Sequence, residues 1–247
     1  MSLMSHWDIF GCTVGSMKAN EPTELADGVV EDRRARKARL TRNALAAAAL
    51  DLILEHGLED VTVSAVAERA DVTRRTFSRH FVGKEDAALD FVRGDGARIN
   101  ACLRDRPADE PPLLAYRRAV RDWLADRENP AWHLRPDMRR LLALVDSEPA
   151  LFAAYERIRV DAQEESIRII ADRLGTDDAQ DVRPAVVVGA AAGVLTAALR
   201  LWARGTRDHA DDSAAADLAA LVERAYDALM DEAELAASPG THRTAGK

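Results

Sequence analysis

The chain has 247 residues, of which 47 % are hydrophobic and 31 % are charged, and its formal net charge is −8. Aromatic residues make up only 5 %, while Ala and Leu are abundant, which favours helices over strands in a soluble globular protein. Two cysteines exclude a disulfide framework and a metal-ligand pattern, which fits a reducing cytoplasm. No uninterrupted apolar run reaches the roughly eighteen residues of a bilayer span, so we expect no membrane partner.

The first predicted helix runs from Arg39 to His56 and ends at Gly57. Apolar residues recur there at spacings of three and four, which is the pattern of a helix with one buried face: Leu45, Ala48, Ala49, Leu52 and Ile53. Residues 1–30 are neither periodic nor strongly apolar, and we expect a mobile tail.

Two short helices are predicted next, and each has the same entry signal. Val61 and Thr62 supply a hydrophobic staple and an N-cap for a helix that ends near residue 70, and Val72 and Thr73 repeat the signal for a helix that begins at residue 74. The three residues between them, with Asp71 tolerating a left-handed conformation, predict the turn of a helix-turn-helix.

The rest of the chain is predicted to be helical. A fourth helix is expected from Lys84 to about Arg104, and Pro and Gly residues separate further helices at 113–128, 136–147, 149–173, 183–204 and 212–235. The prediction is therefore an all-α protein. It has a helix-turn-helix domain at 31–86, a larger helical domain at 87–236 and a mobile tail at 237–247.

Positive charge is concentrated around the helix-turn-helix. On the third helix Phe77 and Phe81 share one side, and Arg75 and Arg79 lie roughly opposite. Residues 33–42 carry six cations and no anion, and residues 69–84 carry five cations against Asp71. A solvated charged face is the ordinary explanation of such a helix. Its place in a helix-turn-helix favours binding to a nucleic acid groove instead.

The stretch "TRNALAAAALDLILEHGLEDVTVSAVAERADVTRRTFSRHFVGKEDAAL" closely resembles the N-terminal DNA-binding domain of the tetracycline-repressor (TetR) family of bacterial transcription regulators. The resemblance covers about 50 residues. It implies a double-stranded DNA operator as partner, and base contacts from Arg74, Arg75, Thr76 and Arg79. Phosphate contacts are implied for Thr62, Thr73, His80 and Lys84.

Three positions depart from the family's commonest pattern. Asp71 stands where Gly is usual, Ser78 stands where an aromatic residue often meets the DNA backbone, and Gly83 replaces a Ser or Asn helix cap. We keep Ser78 among the DNA-contacting candidates, without the aromatic phosphate contact.

In this family the last two helices form a homodimer. A ridge of small residues, with larger apolar neighbours and an apolar stripe on the last helix, fits that role here. The alternative is burial within one subunit. The candidate dimer residues are Gly189, Gly193, Val194, Ala197, Leu201, Leu218, Leu221, Val222 and Tyr226.

Regulators of this family are usually released from DNA by a small molecule held among the middle helices. Candidate lining residues, which an ordinary core would equally use, are Tyr116, Trp123, Met138, Leu142, Phe152 and Tyr155. Residues 112–205 also resemble effector domains of actinobacterial members thought to bind acyl-coenzyme A-like ligands, whose phosphates Arg135, Arg139 and Arg140 could hold.

An enzyme is the competing class, and the sequence offers no Gly-x-Ser-x-Gly elbow, His-Glu-x-x-His, Walker loop or Cys-x-x-Cys pair. We therefore expect no catalytic residue, metal or cofactor. The second alternative is a constitutive DNA-binding protein without a ligand.

Overall fold

The computed structural model describes residues 32–204 and 212–237. In these ranges the chain forms α-helices and one 3₁₀ turn but no strand, which confirms the all-α prediction. The helices are α1 (Arg33–His56), α2 (Val63–Arg69), α3 (Arg74–Phe77), α4 (Lys84–Ala88), α5 (Asp90–Arg104), α6 (Pro112–Ala125), α7 (Pro136–Val145), α8 (Pro149–Leu174), α9 (Arg183–Arg204) and α10 (Asp212–Ala237), with the 3₁₀ turn at Trp132–Leu134. The tail predicted at 1–30 lies outside the described residues. The tail predicted at 237–247 does too, except for Ala237.

The helix-turn-helix forms as its caps predict. The hydroxyl oxygen of Thr62 accepts a hydrogen bond from the amide of Ala65 at 3.1 Å, and that of Thr73 accepts one from the amide of Thr76 at 3.1 Å. Asp71 has a φ of 51°, so it adopts the left-handed conformation that the turn requires. The two caps and this turn fix the start of α3.

The two largest differences from the predicted boundaries are at the start of α1 and at residue 89. α1 begins at Arg33, six residues before the predicted start at Arg39, because exposed polar residues extend the helix without adding to its apolar pattern. The single helix predicted from Lys84 to Arg104 is divided at Leu89, which is fully buried and has non-helical dihedrals of −96° and 9°. α4 and α5 are therefore separate segments.

The core divides into two clusters, and the division does not follow the domain boundary predicted from sequence. The first cluster joins the apolar faces of α1 to α4 with those of α7 and the first half of α8. The second joins the end of α5 with α6, the second half of α8, α9 and α10. α7 and α8 are thus packed directly on the helix-turn-helix unit. We call α1 to α4 the N-terminal part and α5 to α10 the regulatory part.

α9 is the most apolar helix that the structure describes. It is 22 residues long, and an 18-residue window of it has a mean hydropathy of 1.8, so by length and composition it could cross a membrane. This is weak evidence, because core helices of soluble proteins meet the same test. One side of α9 packs on α6, α8 and α10, and the other carries a series of exposed small and apolar residues.

Candidate nucleic-acid interface

α3 presents its two sides very differently. Phe77 and Phe81 are buried, with ring centroids 5.8 Å apart, and they anchor the segment to the first core cluster. Hydrogen-bonded turns continue the helix to Phe81, since the amide of Ser78 donates to the carbonyl of Arg74 and that of Phe81 to the carbonyl of Phe77. The anchored aromatic side therefore sets the direction of the polar side.

That polar side carries three exposed arginines: Arg74, Arg75 and Arg79. Among the described residues, none of their guanidinium groups has an ion-pair or hydrogen-bond partner. Like charges placed i, i+4 on a helix repel each other, so this arrangement is unfavourable in the isolated chain. Guanidinium groups form bidentate contacts with phosphate oxygens and with the O6 and N7 atoms of guanine, and either contact would relieve the repulsion.

The hydroxyl groups beside these arginines are partly engaged. The oxygens of Thr62 and Thr73 each accept a helix-capping hydrogen bond, and Thr73 also shares one with the hydroxyl of Thr76 at 3.0 Å. The hydroxyl of Ser78 donates to the carbonyl of Arg74 at 3.2 Å. Thr62, Thr73 and Ser78 are exposed. The two threonines cap the N-termini of α2 and α3 and so fix where these helices begin.

Arg42 is the cation of this region that sequence reasoning misplaced. It belongs to the basic run 33–42, yet its Nε and Nη2 atoms donate to the two carboxylate oxygens of Asp90 at 2.9 and 2.5 Å. Its Nη1 atom donates to the carbonyl of His80 at 2.9 Å, and its guanidinium lies 4.4 Å from the centroid of the Phe81 ring. Residues 74–81 are called the recognition segment below, and Arg42 thus ties the end of this segment to the first residue of α5.

Lys84 is also engaged within the chain. Its Nζ atom donates to the carbonyls of Leu58 and Val61 at 2.5 and 2.7 Å, which fastens α4 to the connection between α1 and α2. The position predicted for a phosphate contact therefore has a structural role in the described chain. The half-buried His80, the other candidate in this segment, has its ring 6.4 Å from that of Phe81.

The six candidate effector residues do not line one pocket. Tyr116, Trp123 and Tyr155 line a cavity of about 70 Å³ among α5, α6, α8 and α9, which we call the inner cavity. Met138 lines a separate crevice between α1 and α7, and Leu142 a third one of about 180 Å³ between α7 and α9. Phe152 is 41 % exposed and lines none of these three pockets.

The inner cavity has polar groups that the sequence analysis missed. Asp95 is 1 % exposed and accepts a hydrogen bond from the indole nitrogen of Trp123 at 3.1 Å, and the guanidinium of Arg98 lies 3.6 Å from the same carboxylate oxygen. The side-chain nitrogen of Gln163 is buried without a hydrogen-bond partner in the described residues. An unpaired buried donor is costly, so this amide offers a binding group to a ligand. Asp95 and Gln163 give no periodic signal in the sequence.

The dimer candidates separate into two groups. Val194, Leu218, Val222 and Tyr226 are buried within the single chain, which leaves little of their surface for a partner. The spacing of these residues correctly predicted that they are buried, but it could not show whether their own subunit or a partner covers them. Leu221 is half-buried. Gly189, Gly193, Ala197 and Leu201 are exposed. They lie on the same side of α9 as Val186, which is 60 % exposed, and together these five residues form the exposed line on α9. A Cβ atom added to either glycine would meet no atom within 4 Å.

Comparison with known proteins relates both parts of the chain to transcription regulators. Residues 45–88 match the family model described as "Bacterial regulatory proteins, tetR family", and residues 110–234 match the one described as "MftR C-terminal domain". The HTH-type transcriptional regulator TcmR of Streptomyces glaucescens is 36 % identical over 176 residues, which cover 68 % of this chain and 76 % of that protein.

Two solved structures resemble the fold in part. The fatty acid degradation regulator FadR from Bacillus halodurans gives a TM-score of 0.47 at 18 % identity, covering 77 % of this chain and 94 % of that one. NalD, the secondary repressor of the MexAB-OprM multidrug efflux pump in Pseudomonas aeruginosa, gives 0.47 at 21 % identity, covering 76 % and 97 %.

Proposed function

Because the chain belongs to the TetR family of bacterial transcription regulators and is a DNA-binding regulator, we propose that it is a cytoplasmic repressor that binds a palindromic operator as a homodimer. A small molecule bound in the regulatory part lowers its DNA affinity. The observation that carries the proposal is the row of exposed arginines on one side of the α3 segment, which have no partner among the described residues, with Phe77 and Phe81 anchoring the other side in the core. The family is one of regulators, and no catalytic role is proposed for any residue.

The residues of the interface are proposed to make different DNA contacts according to where they lie. Arg75 and Arg79 are the proposed base-reading groups, with Arg74 and Thr76 beside them. Thr62, Thr73 and Ser78 are proposed to meet phosphates at its edges. The exposed cations of α1, such as Arg33 and Arg36, add charge along the DNA backbone.

Dimerisation is supported by the exposed line on α9. Small residues allow two helices to approach closely, and the exposed apolar ends at Val186 and Leu201 give a partner apolar area to bury. A single helix-turn-helix also has few base contacts, and such units commonly bind two half-sites as dimers.

Effector release is supported by the inner cavity and by the link through Arg42. The cavity lies against α5, and α5 begins at Asp90, which holds the recognition segment through Arg42 and the carbonyl of His80. A ligand that displaces α5 would therefore disturb α3. By linkage, such a ligand binds less well to the DNA-bound protein, typically by about 1–3 kcal/mol.

The inner cavity, at about 70 Å³, is smaller than the roughly 150 Å³ cavity that holds benzene, so an effector would bind there only if the surrounding helices move apart. The arginines suggested for coenzyme A phosphates are engaged: Arg135 stacks on Trp132 at 4.0 Å, and Arg139 donates to the carbonyl of Trp202 at 3.0 Å. An acyl-coenzyme A ligand would need both an opening of the helices and the release of these contacts. A constitutive regulator without a ligand is the remaining alternative.

The DNA-binding role is tested by replacing Arg75 with Ala and measuring fluorescence anisotropy on a selected operator and on a random duplex. Loss of a base contact should cost about 1–3 kcal/mol on the operator and little on the random duplex. The matched control is Arg157→Ala, which removes an exposed arginine of α8 that has no partner among the described residues. Equal losses for the two variants would contradict the proposal.

The dimer is tested with Gly193→Leu. Because a side chain at this position meets open space in the single chain, the subunit should fold normally, while two α9 helices could no longer approach. Sedimentation analysis should show a monomer for this variant and a dimer for Ala153→Leu, a control on the exposed face of α8. A dimer that survives Gly193→Leu would exclude this face.

A further inference from the structure

A crevice of about 440 Å³ lies where the N-terminal part meets the regulatory part, and we call it the junction crevice. Its walls come from α1, from the start of α5, from the 3₁₀ turn and from α7. Small-molecule sites in proteins commonly have volumes of about 300–1,000 Å³. The junction crevice has that size, whereas the inner cavity, at about 70 Å³, does not.

The lining combines an apolar surface with an aromatic edge. Leu50, Phe91 and Met138 are the largest apolar groups, and small alanines such as Ala47 leave the space between them open. The indole of Trp132 stands at the rim, 38 % exposed, with the guanidinium of Arg135 stacked 4.0 Å from its ring centroid. Such walls suit a flat organic molecule of moderate size.

Negative charge in the crevice is only partly neutralised. Asp90 is held by Arg42, but the half-buried carboxylate of Asp51 has no ion-pair or hydrogen-bond partner among the described residues. Asp137, which also lines the crevice, is exposed, and its one ion pair among the described residues is a 3.8 Å contact with the exposed Arg140.

The charged groups around Asp51 are mainly negative. Its pKa is raised by burial first and then by the charges of Glu55 and Asp137, with Arg69 acting in the opposite direction. Arg69 is itself paired with Glu55 at 3.1 Å. A cation from outside the chain would therefore meet a partly desolvated carboxylate near further negative charge.

We propose that the junction crevice binds a compact organic cation, with its charged group beside Asp51 and Asp137 and a flat apolar body against Leu50, Phe91 and Met138. This site is distinct from the inner cavity and does not depend on the proposed effector release. The bound molecule contacts α1 of the N-terminal part and α7 of the regulatory part at once. It therefore acts as a wedge between the element that carries the helix-turn-helix and the element that packs on it.

The test is isothermal titration of the DNA-free protein with three probes that carry the same aromatic ring. They share the naphthylmethyl group and differ in the charge of the group attached to it: the (1-naphthylmethyl)trimethylammonium cation, neutral 1-naphthylmethanol and the 1-naphthylacetate anion. The cation should bind about tenfold more tightly than the other two, and Asp51→Asn and Asp137→Asn should each remove most of that preference. Equal affinity for the three probes, or a cation preference that survives both substitutions, would overturn the proposal.

Two further variants locate the site. Ala47→Leu places side-chain volume in the crevice and should abolish binding of the cation, while Gln163→Leu, in the inner cavity, should leave its dissociation constant unchanged. The opposite pattern would place the cation in the inner cavity and refute the crevice site. Circular dichroism melting shows whether each variant is folded, and Asp51→Asn should melt no lower than the wild type because it removes a half-buried charge that has no partner among the described residues. Because DNA is absent, failure here leaves the proposed repressor function untouched.

Discussion

Replacing Arg42 with Met should lower the free energy of unfolding and remove the hydrogen bonds that join α5 to the recognition segment. Met preserves much of the aliphatic volume while removing the guanidinium group. The substitution deletes the two hydrogen bonds to Asp90, the one to the carbonyl of His80 and the contact with the Phe81 ring.

The magnitude follows from the burial of the partners. The side chains of Arg42 and Asp90 are 31 % and 14 % exposed, which places the pair between a surface ion pair, worth about 0–1 kcal/mol, and a buried one, whose disruption costs about 3–5 kcal/mol. Asp90 keeps a weaker partner in Arg93 at 3.2 Å. We therefore expect the free energy of unfolding to fall by about 2 kcal/mol.

Urea denaturation of Arg42→Met, Asp90→Asn and the double variant measures the coupling. The cycle should give an interaction free energy of at least about 1 kcal/mol, well above the roughly 0.3–0.5 kcal/mol within which independent sites add. Arg93→Met is the matched control, since its guanidinium is 40 % exposed and should cost less than about 1 kcal/mol. Coupling below about 0.5 kcal/mol, or an equal loss in the control, would refute the role of Arg42 as the link.

Three further substitutions test the same structure. Lys84→Met removes the hydrogen bonds to the carbonyls of Leu58 and Val61 and should lower the free energy of unfolding by about 1–3 kcal/mol in urea; an unchanged midpoint would contradict the internal role of Lys84. Asp71→Gly should raise the thermal midpoint, because Gly adopts the φ of 51° without the roughly 1 kcal/mol penalty of a side chain, and a decrease would argue against a strained turn. The raised pKa of Asp51 means that the folded protein binds this proton more readily than the unfolded chain. Its contribution to stability is thus present at acid pH and lost as pH rises above the ordinary value of 3.8 and through the raised pKa. Asp51→Asn should accordingly stabilise the protein at neutral pH and flatten this part of its pH–stability curve, and a loss of stability at neutral pH would show that the carboxylate has a partner.

The helices could be predicted from sequence wherever a cap or a stop marked them. The threonine caps, Gly57 and the prolines each act on the backbone locally, so their effect is readable without the fold. The break at Leu89 was not readable, because Leu favours helix and only its burial in the first core cluster explains the non-helical backbone there.

The candidate site shows the same limit. The helical spacing of Phe77 and Phe81 predicted which arginines face outward, since the side of the helix opposite the buried rings must be exposed. The internal partners of Arg42 and Lys84 lie 48 and 26 residues away along the chain, and no local pattern reports them. In the same way, periodicity showed that Val222 and Tyr226 are buried but could not show that their own subunit covers them.

Selection of bound duplexes from a random DNA pool tests the central claim most directly. The account predicts enrichment of a two-fold symmetric sequence whose half-sites are separated by about one helical turn, 10–10.5 base pairs, or a multiple of it. It also predicts that the Arg75→Ala protein selects a sequence with reduced preference at a symmetric pair of positions. Recovery of no enriched sequence by the wild-type dimer, or of an identical sequence by the Arg75→Ala protein, would contradict the claim that the exposed arginines of α3 read an operator.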